Sequence, residues 1–122
     1  MKNKLIERFT LLKDGWIKDA KTGLDWGKSS LKEMNLKDAQ EYCSKEGGRL
    51  PSRTELESIQ DLEKYSPCID AIFQETKSSY YWSGTKCAWN GRAAWCVSFG
   101  YGNVYCLCED LDGCVRPVRA SQ

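Results

Sequence analysis

"AAWCVSFGYGNV", residues 93–104, alternates with a period of two, and that period decides the fold class. Trp95, Val97 and Phe99 point to one side of an extended chain, while Ala94, Cys96 and Ser98 point to the other. Gly100-Tyr101-Gly102-Asn103 reads as a hairpin turn, after which Val104 resumes the apolar register. A last strand is expected through "CVRPVR", residues 114–119. The C-terminal third is therefore an antiparallel, hairpin-connected sheet.

Toward the N-terminus the period becomes helical. Asn35 is placed to cap a helix running to about Glu46, with Leu36, Ala39, Gln40 and Cys43 on one face and Gly47-Gly48 as its stop. Ser52-Arg53-Thr54-Glu55 fits a capping box and opens a second helix. Its apolar positions are Leu56, Ile59 and Leu62, and Tyr65-Ser66-Pro67 is expected to end it. Earlier still, "RFTLLKDGWIKDAKTGLDWGK" (residues 8–28) reads as short strands broken by turns at Asp14-Gly15 and Lys21-Thr22-Gly23. Strands, two helices and then hairpins make the fold class α+β.

The 122 residues suffice for one domain, 1–122, with an ordinary core. Eighteen basic and 17 acidic side chains are well mixed and leave a formal charge of +1, so no electrostatic footprint marks a nucleic-acid or membrane partner. No apolar run approaches the length of a bilayer span. The start, "MKNKLIERFTLLKDGW", lacks the apolar stretch and cleavage site of an export signal. The expectation is a cytoplasmic or particle-associated (phage) protein, unless such a signal was trimmed.

Catalysis finds little support. The chain has no histidine to act as a general base and no glycine-rich phosphate loop. We expect no enzyme activity, no cofactor and no metal. The acids of "EDLD" (residues 109–112) do not have the spacing of a calcium loop and read as solvated turn residues.

Seven cysteines remain to be explained. Cys43 and Cys68 flank the helical region and read as small core residues. The other five, Cys87, Cys96, Cys106, Cys108 and Cys114, fall in the sheet and its loops, three of them within "YCLCEDLDGC" (residues 105–114). Their gaps are not those of a zinc ribbon. Cys106 and Cys108 share a strand face with Val104, so a disulfide from either needs a partner on another strand. Disulfides, a metal and free thiols on a tolerant surface stay open as readings, and a cysteine-dependent structural or redox protein is the alternative function.

Six phrases in series resemble a known family, the C-terminal domain of Lcl-type collagen-like adhesins. They are "TGLDW" (22–26), "AQEYC" (39–43), "GGRLPSRTEL" (47–56), "YWSGT" (81–85), "AWCVSFGYGNV" (94–104) and "VRPVR" (115–119). The resemblance implies a C-type-lectin-like fold: two helices packed on a small twisted antiparallel sheet, with N- and C-terminal strands paired. It also implies a binding module for a protein or glycan ligand, not an enzyme. Formylglycine-generating oxidases share the wider fold and use paired cysteines, but they are much longer. Relatives often carry a cysteine where this chain has Pro117, which leaves Cys43 without the partner the family would give it.

The domain is similar, further, to the variable proteins of diversity-generating retroelements, which mutate template adenines. Tyr105, Cys106, Leu107, Cys108, Asp110, Asp112, Gly113 and Cys114 are all outcomes of such mutation at asparagine codons, whereas Glu109, Lys86 and Trp89 are not. Trp26, Trp82 and Trp95 lie in the matching phrases and read as core, as does Trp16 ahead of them; Trp89 lies between two phrases and outside both. The expected ligand face combines the loop at 85–92 with the outward side chains of the later hairpins. Its members are Cys87, Trp89, Asn90, Arg92, Cys96, Tyr101, Asn103, Tyr105, Leu107, Asp110, Asp112 and Cys114. Trp and Tyr would give contact area, and Arg, Asn and Asp polar specificity.

Overall fold

A computed structural model describes residues 7–121. The basic start at 1–6, read above for an export signal, lies outside the described residues. The elements in chain order are β1 (Phe9–Leu11), β2 (Ile17–Asp19), β3 (Leu24–Trp26), α1 (Leu36–Lys45), α2 (Arg53–Ser58), β4 (Tyr80–Cys87), β5 (Asn90–Ser98), β6 (Val104–Cys108) and β7 (Val118–Ala120). The architecture is α+β, but it holds two antiparallel sheets, not one. One has the order β1-β2-β3-β7 and the other β4-β5-β6.

The first sheet is built by turns that the sequence specifies. Gly15 (φ 92°) and Gly23 (φ 74°) supply the left-handed conformations that reverse the chain before β2 and before β3. Asp19, fully buried at the end of β2, accepts hydrogen bonds from Arg8 Nε (2.8 Å), Thr22 Oγ1 (2.9 Å) and Lys21 N (3.0 Å). Burial alone would raise its carboxyl pKa; these bonds overcome that effect and hold it below the ordinary value. β7 closes the sheet by pairing with β3, not with the N-terminal β1, in the register Trp26↔Val118.

Asn35 caps α1 by accepting from Asp38 N (2.9 Å), and the helix buries Leu36, Ala39 and Cys43. Gln40, placed on that face from the sequence, is exposed. α2 begins with the expected capping box between Ser52 and Glu55, yet it stops at Ser58 and does not reach Leu62. Gln60 leaves the helix to form a β-bridge with Ile69, and its side-chain amide donates to Ser98 O and Gly102 O. Asp61 N donates to Cys68 O, which commits the next residue as well. Leu62 is left outside, 74% exposed.

The expected last strand is also shorter, covering 118–120 only. Pro117 has no N–H to donate to a ladder. Residues 113–117 instead bond to several neighbours in turn, as Cys114 N to Tyr80 O, Ser30 N to Val115 O and Gly27 N to Pro117 O. Two cores result. The larger gathers Trp26, Leu56, Phe73, Tyr81, Val97, Phe99 and Val118. The smaller packs α1 through Leu36, Ala39 and Cys43 against Trp82, Ala94, Cys96 and Val115.

Candidate binding surface

β5 is nine residues long, and a strand of that length spans about 27 Å. This length divides the expected ligand face in two. The β4–β5 turn, Ala88-Trp89, lies at one end of the sheet, and the β5–β6 connection at 99–103 lies at the other. Tyr101 and Asn103 therefore sit far from Trp89, Asn90 and Arg92. A single face cannot hold all twelve residues.

Burial removes others. Cys96 and Cys114 are fully buried, and Cys87 is 3% exposed, so none of these side chains presents a surface to a ligand. Cys96 lies in the core that also holds Trp82 and Ala94, because the inner side of β5 faces α1. Leu107 is half-buried against the same core. Cys87 forms a disulfide with Cys106, Cα–Cα 6.2 Å, which ties the end of β4 to β6. Register shifts between Trp82 and Cys87 bend the β4–β5 hairpin and bring the two strands within reach. Cys43, Cys68, Cys96, Cys108 and Cys114 are free thiols, and only Cys108 is exposed.

At the β4–β5 end the exposed residues form a coherent group. Trp89 is 72% exposed and packs edge-on against Trp95, with ring centroids 5.5 Å apart. Trp95, read as core from the sequence, is only half-buried, and the Arg53 guanidinium lies 4.2 Å over its ring. Asn90 Oδ1 accepts from Arg92 N (3.0 Å) and fixes the start of β5. Glu109 stands between Lys86 (3.7 Å) and Arg92 (3.6 Å), while its N–H donates to Arg92 O. Beside this network a cavity of about 270 Å³ opens between Lys86, Glu109 and Asp110 on one side and Asn35, Lys37 and Gln40 of the α1 start on the other. Asp112 is exposed in the turn that follows.

Glu109, Lys37, Gln40 and Arg53 were not among the residues expected at the site, and Lys86 was expected only as part of the loop at 85–92. Lys86 and Glu109 meet only because β4 and β6 flank β5, and nothing in their sequence spacing signals the contact. At the opposite end, Tyr101 is 85% exposed near Leu62 and Tyr65, both exposed. Asn103 Nδ2 donates to Tyr105 Oη (2.9 Å), and Tyr105 packs edge-on against Tyr80 (5.0 Å), so those two stabilise the strand as well as lining its surface.

Among the described residues no helix is long and apolar enough to cross a membrane, and no group of three His, Cys, Asp or Glu is placed to hold a metal ion. No curated protein and no solved structure matches the chain. A family model does: residues 15–119 match the Lcl C-terminal domain, a span that includes both sheets' inner strands, both helices and the surface just described. The chain belongs to the Lcl C-terminal domain family.

Proposed function

We propose that the protein is an adhesin-like binding module of C-type-lectin-like fold whose contact surface is the β4–β5 end of the three-stranded sheet. The reading rests on one observation: Trp89 stands 72% exposed, yet Trp95 and the Arg53 stacked over it fix its orientation. An aromatic ring presented with little freedom loses little entropy on binding, and Trp and Arg dominate interface energetics. The neighbouring Lys86–Glu109–Arg92 network and the cavity at Asp110 offer hydrogen-bond donors and acceptors of both signs. A protein epitope or a glycan, with an apolar face beside polar groups, fits that combination, and the balanced formal charge of +1 argues against nucleic acid and an anionic membrane.

Retroelement diversification of the C-terminal third is the finer part of the proposal. Of the eight residues that read as outcomes of adenine mutation, Tyr105, Cys108, Asp110 and Asp112 are exposed. Cys106 is held in the disulfide, Leu107 packs on the α1 core, and Gly113 and Cys114 are buried. A Cβ at Gly113 would stand 3.2 Å from Trp82 Nε1. Diversification compatible with folding is therefore concentrated at the first four. A near-identical DNA repeat that differs only at adenines, beside a reverse transcriptase gene, would establish it.

The binding proposal is tested by screening the protein on a glycan array and on a panel of immobilised extracellular proteins, then repeating every hit with Trp89→Ala and Arg92→Ala. Loss of the hits by about tenfold or more is expected. Trp89→Ala should cost stability only the edge-on aromatic contact, about 1 kcal/mol. Hits that survive both substitutions would move the contact surface elsewhere.

A further inference from the structure

Arg116 is 3% exposed and has no carboxylate partner among the described residues. Its guanidinium donates from Nη1 to Gly27 O (2.7 Å), and from Nη2 to Thr76 Oγ1 (2.7 Å) and Gln74 O (3.4 Å). That accounts for three of its five N–H groups; Nε–H and the second Nη1–H have no acceptor among the described residues. Phe73 lies 5.3 Å from the guanidinium and screens it from water on one side. A buried cation without a counter-ion is costly, and burial is the main reason its pKa is pushed down. Tyr81, Tyr42 and Glu75 offset that only in part.

The residue also lines a cavity of about 300 Å³, at the lower end of the range of small-molecule sites. The cavity lies between the β1–β2 turn, the segment after β3 and the loop at 72–75. Leu11, Ile17 and Ile72 give it an apolar wall, and Lys28 adds a second cation at the exposed rim. Glu75, exposed on the same rim, forms no ion pair with Arg116. Arg116 and Lys28 against Glu75 leave the lining with one net positive charge, which a monoanion matches, and the apolar wall gives an inorganic ion nothing to bury. A monoanion with a short hydrocarbon part satisfies both features.

We propose that this cavity is a second ligand site, separate from the Trp89 surface, that binds an aliphatic monocarboxylate with its carboxylate on Arg116 and its chain against Leu11, Ile17 and Ile72. The carboxylate supplies the acceptor that the guanidinium lacks, in a charge-assisted hydrogen bond. The chemistry is shared by a free aliphatic acid and by the C-terminus of a peptide ending in an aliphatic residue.

The test is an NMR titration of the whole chain with sodium hexanoate, reading the Arg116 side-chain Nε–H and the methyls of Leu11, Ile17 and Ile72. Saturable shifts of these groups are expected with hexanoate and not with hexanol at equal concentration. A parallel arm uses acetyl-Ala-Leu against its C-terminal amide, and preference for one carboxylate over the other identifies the source. Removing Arg116 risks the fold, so the variants sit on the rim. Leu11→Glu, at a 64% exposed position, should weaken hexanoate about fivefold, and Glu75→Gln should strengthen it about threefold through the rim charge. Equal shifts with hexanoate and hexanol, or an unmoved Arg116 with both carboxylates, would overturn the proposal and leave the Trp89 surface untouched.

Discussion

At the scale of single residues the seven cysteines divide by burial and partner rather than by spacing. Burial pushes the Cys43 and Cys96 thiols up to about 12 and the Cys114 thiol up to about 11; Glu46 adds to the effect at Cys43 and Glu33 at Cys114. A thiol must ionise before it reacts, so these three are inert while the protein is folded. Cys68, 1% exposed and also pushed up by burial, joins them. Cys108 alone is exposed. Iodoacetamide at pH 8 should therefore label one cysteine of the native protein quickly and five after denaturation without reductant. Seven should react only once the Cys87–Cys106 disulfide is reduced. Mass spectrometry counts each stage, and rapid native labelling of Cys96 or Cys114 would contradict the packing of the α1 core. Cys43 was legible as a core residue because it falls at helical spacing with Leu36 and Ala39. The disulfide was not legible, because its geometry depends on bulges in β4 that no residue pattern announces.

At the scale of elements, local rules were most readable where a side chain satisfies its own backbone. Asn35 and Ser52 cap the helices expected of them, since a cap depends on residues two or three apart. The end of α2 was misread because the competing partners, Ile69, Ser98 and Gly102, are distant in sequence. Apolar periodicity through Leu62 could not register them. The β4–β5 hairpin carries the proposed contact surface, and the disulfide ties the β4 side of its turn directly to β6. A closed loop of this size, 19 residues in separation, removes about 3 kcal/mol of chain entropy from the unfolded state. The double variant Cys87→Ser/Cys106→Ser should lose about that much stability in urea unfolding. It should also give a poorer yield of the glycan or protein hits, since Trp89 then stands on a looser turn. Unchanged stability would mean that the two cysteines are not joined in the protein as isolated.

At the scale of the whole molecule the two sheets share no strand, and residues 113–118 are the seam between them. Gly113 exchanges hydrogen bonds with Met34, and Cys114 with β4 through Tyr80 O and Trp82 N. Val115 O accepts from Ser30 N, Pro117 O from Gly27 N, and Val118 exchanges bonds with Arg49. The seam is thus bonded in turn to the loop before α1, the three-stranded sheet, the segment after β3 and the loop between the helices. Cys114, Val115 and Val118 are fully buried along it, and their side chains serve both cores. No local opening can release this segment without separating the sheets, so its amides should exchange only through global unfolding. Hydrogen exchange followed by NMR should give Trp82, Cys114 and Val118 amides the same opening free energy, equal to that from urea unfolding. Amides at 62–65, beyond the end of α2, should exchange several orders of magnitude faster, because Leu62 and Tyr65 there are 74% and 78% exposed. A seam whose amides exchange at a lower free energy than those of β5 would show that the two sheets unfold separately, with the closing segment a late addition to a sheet that stands alone.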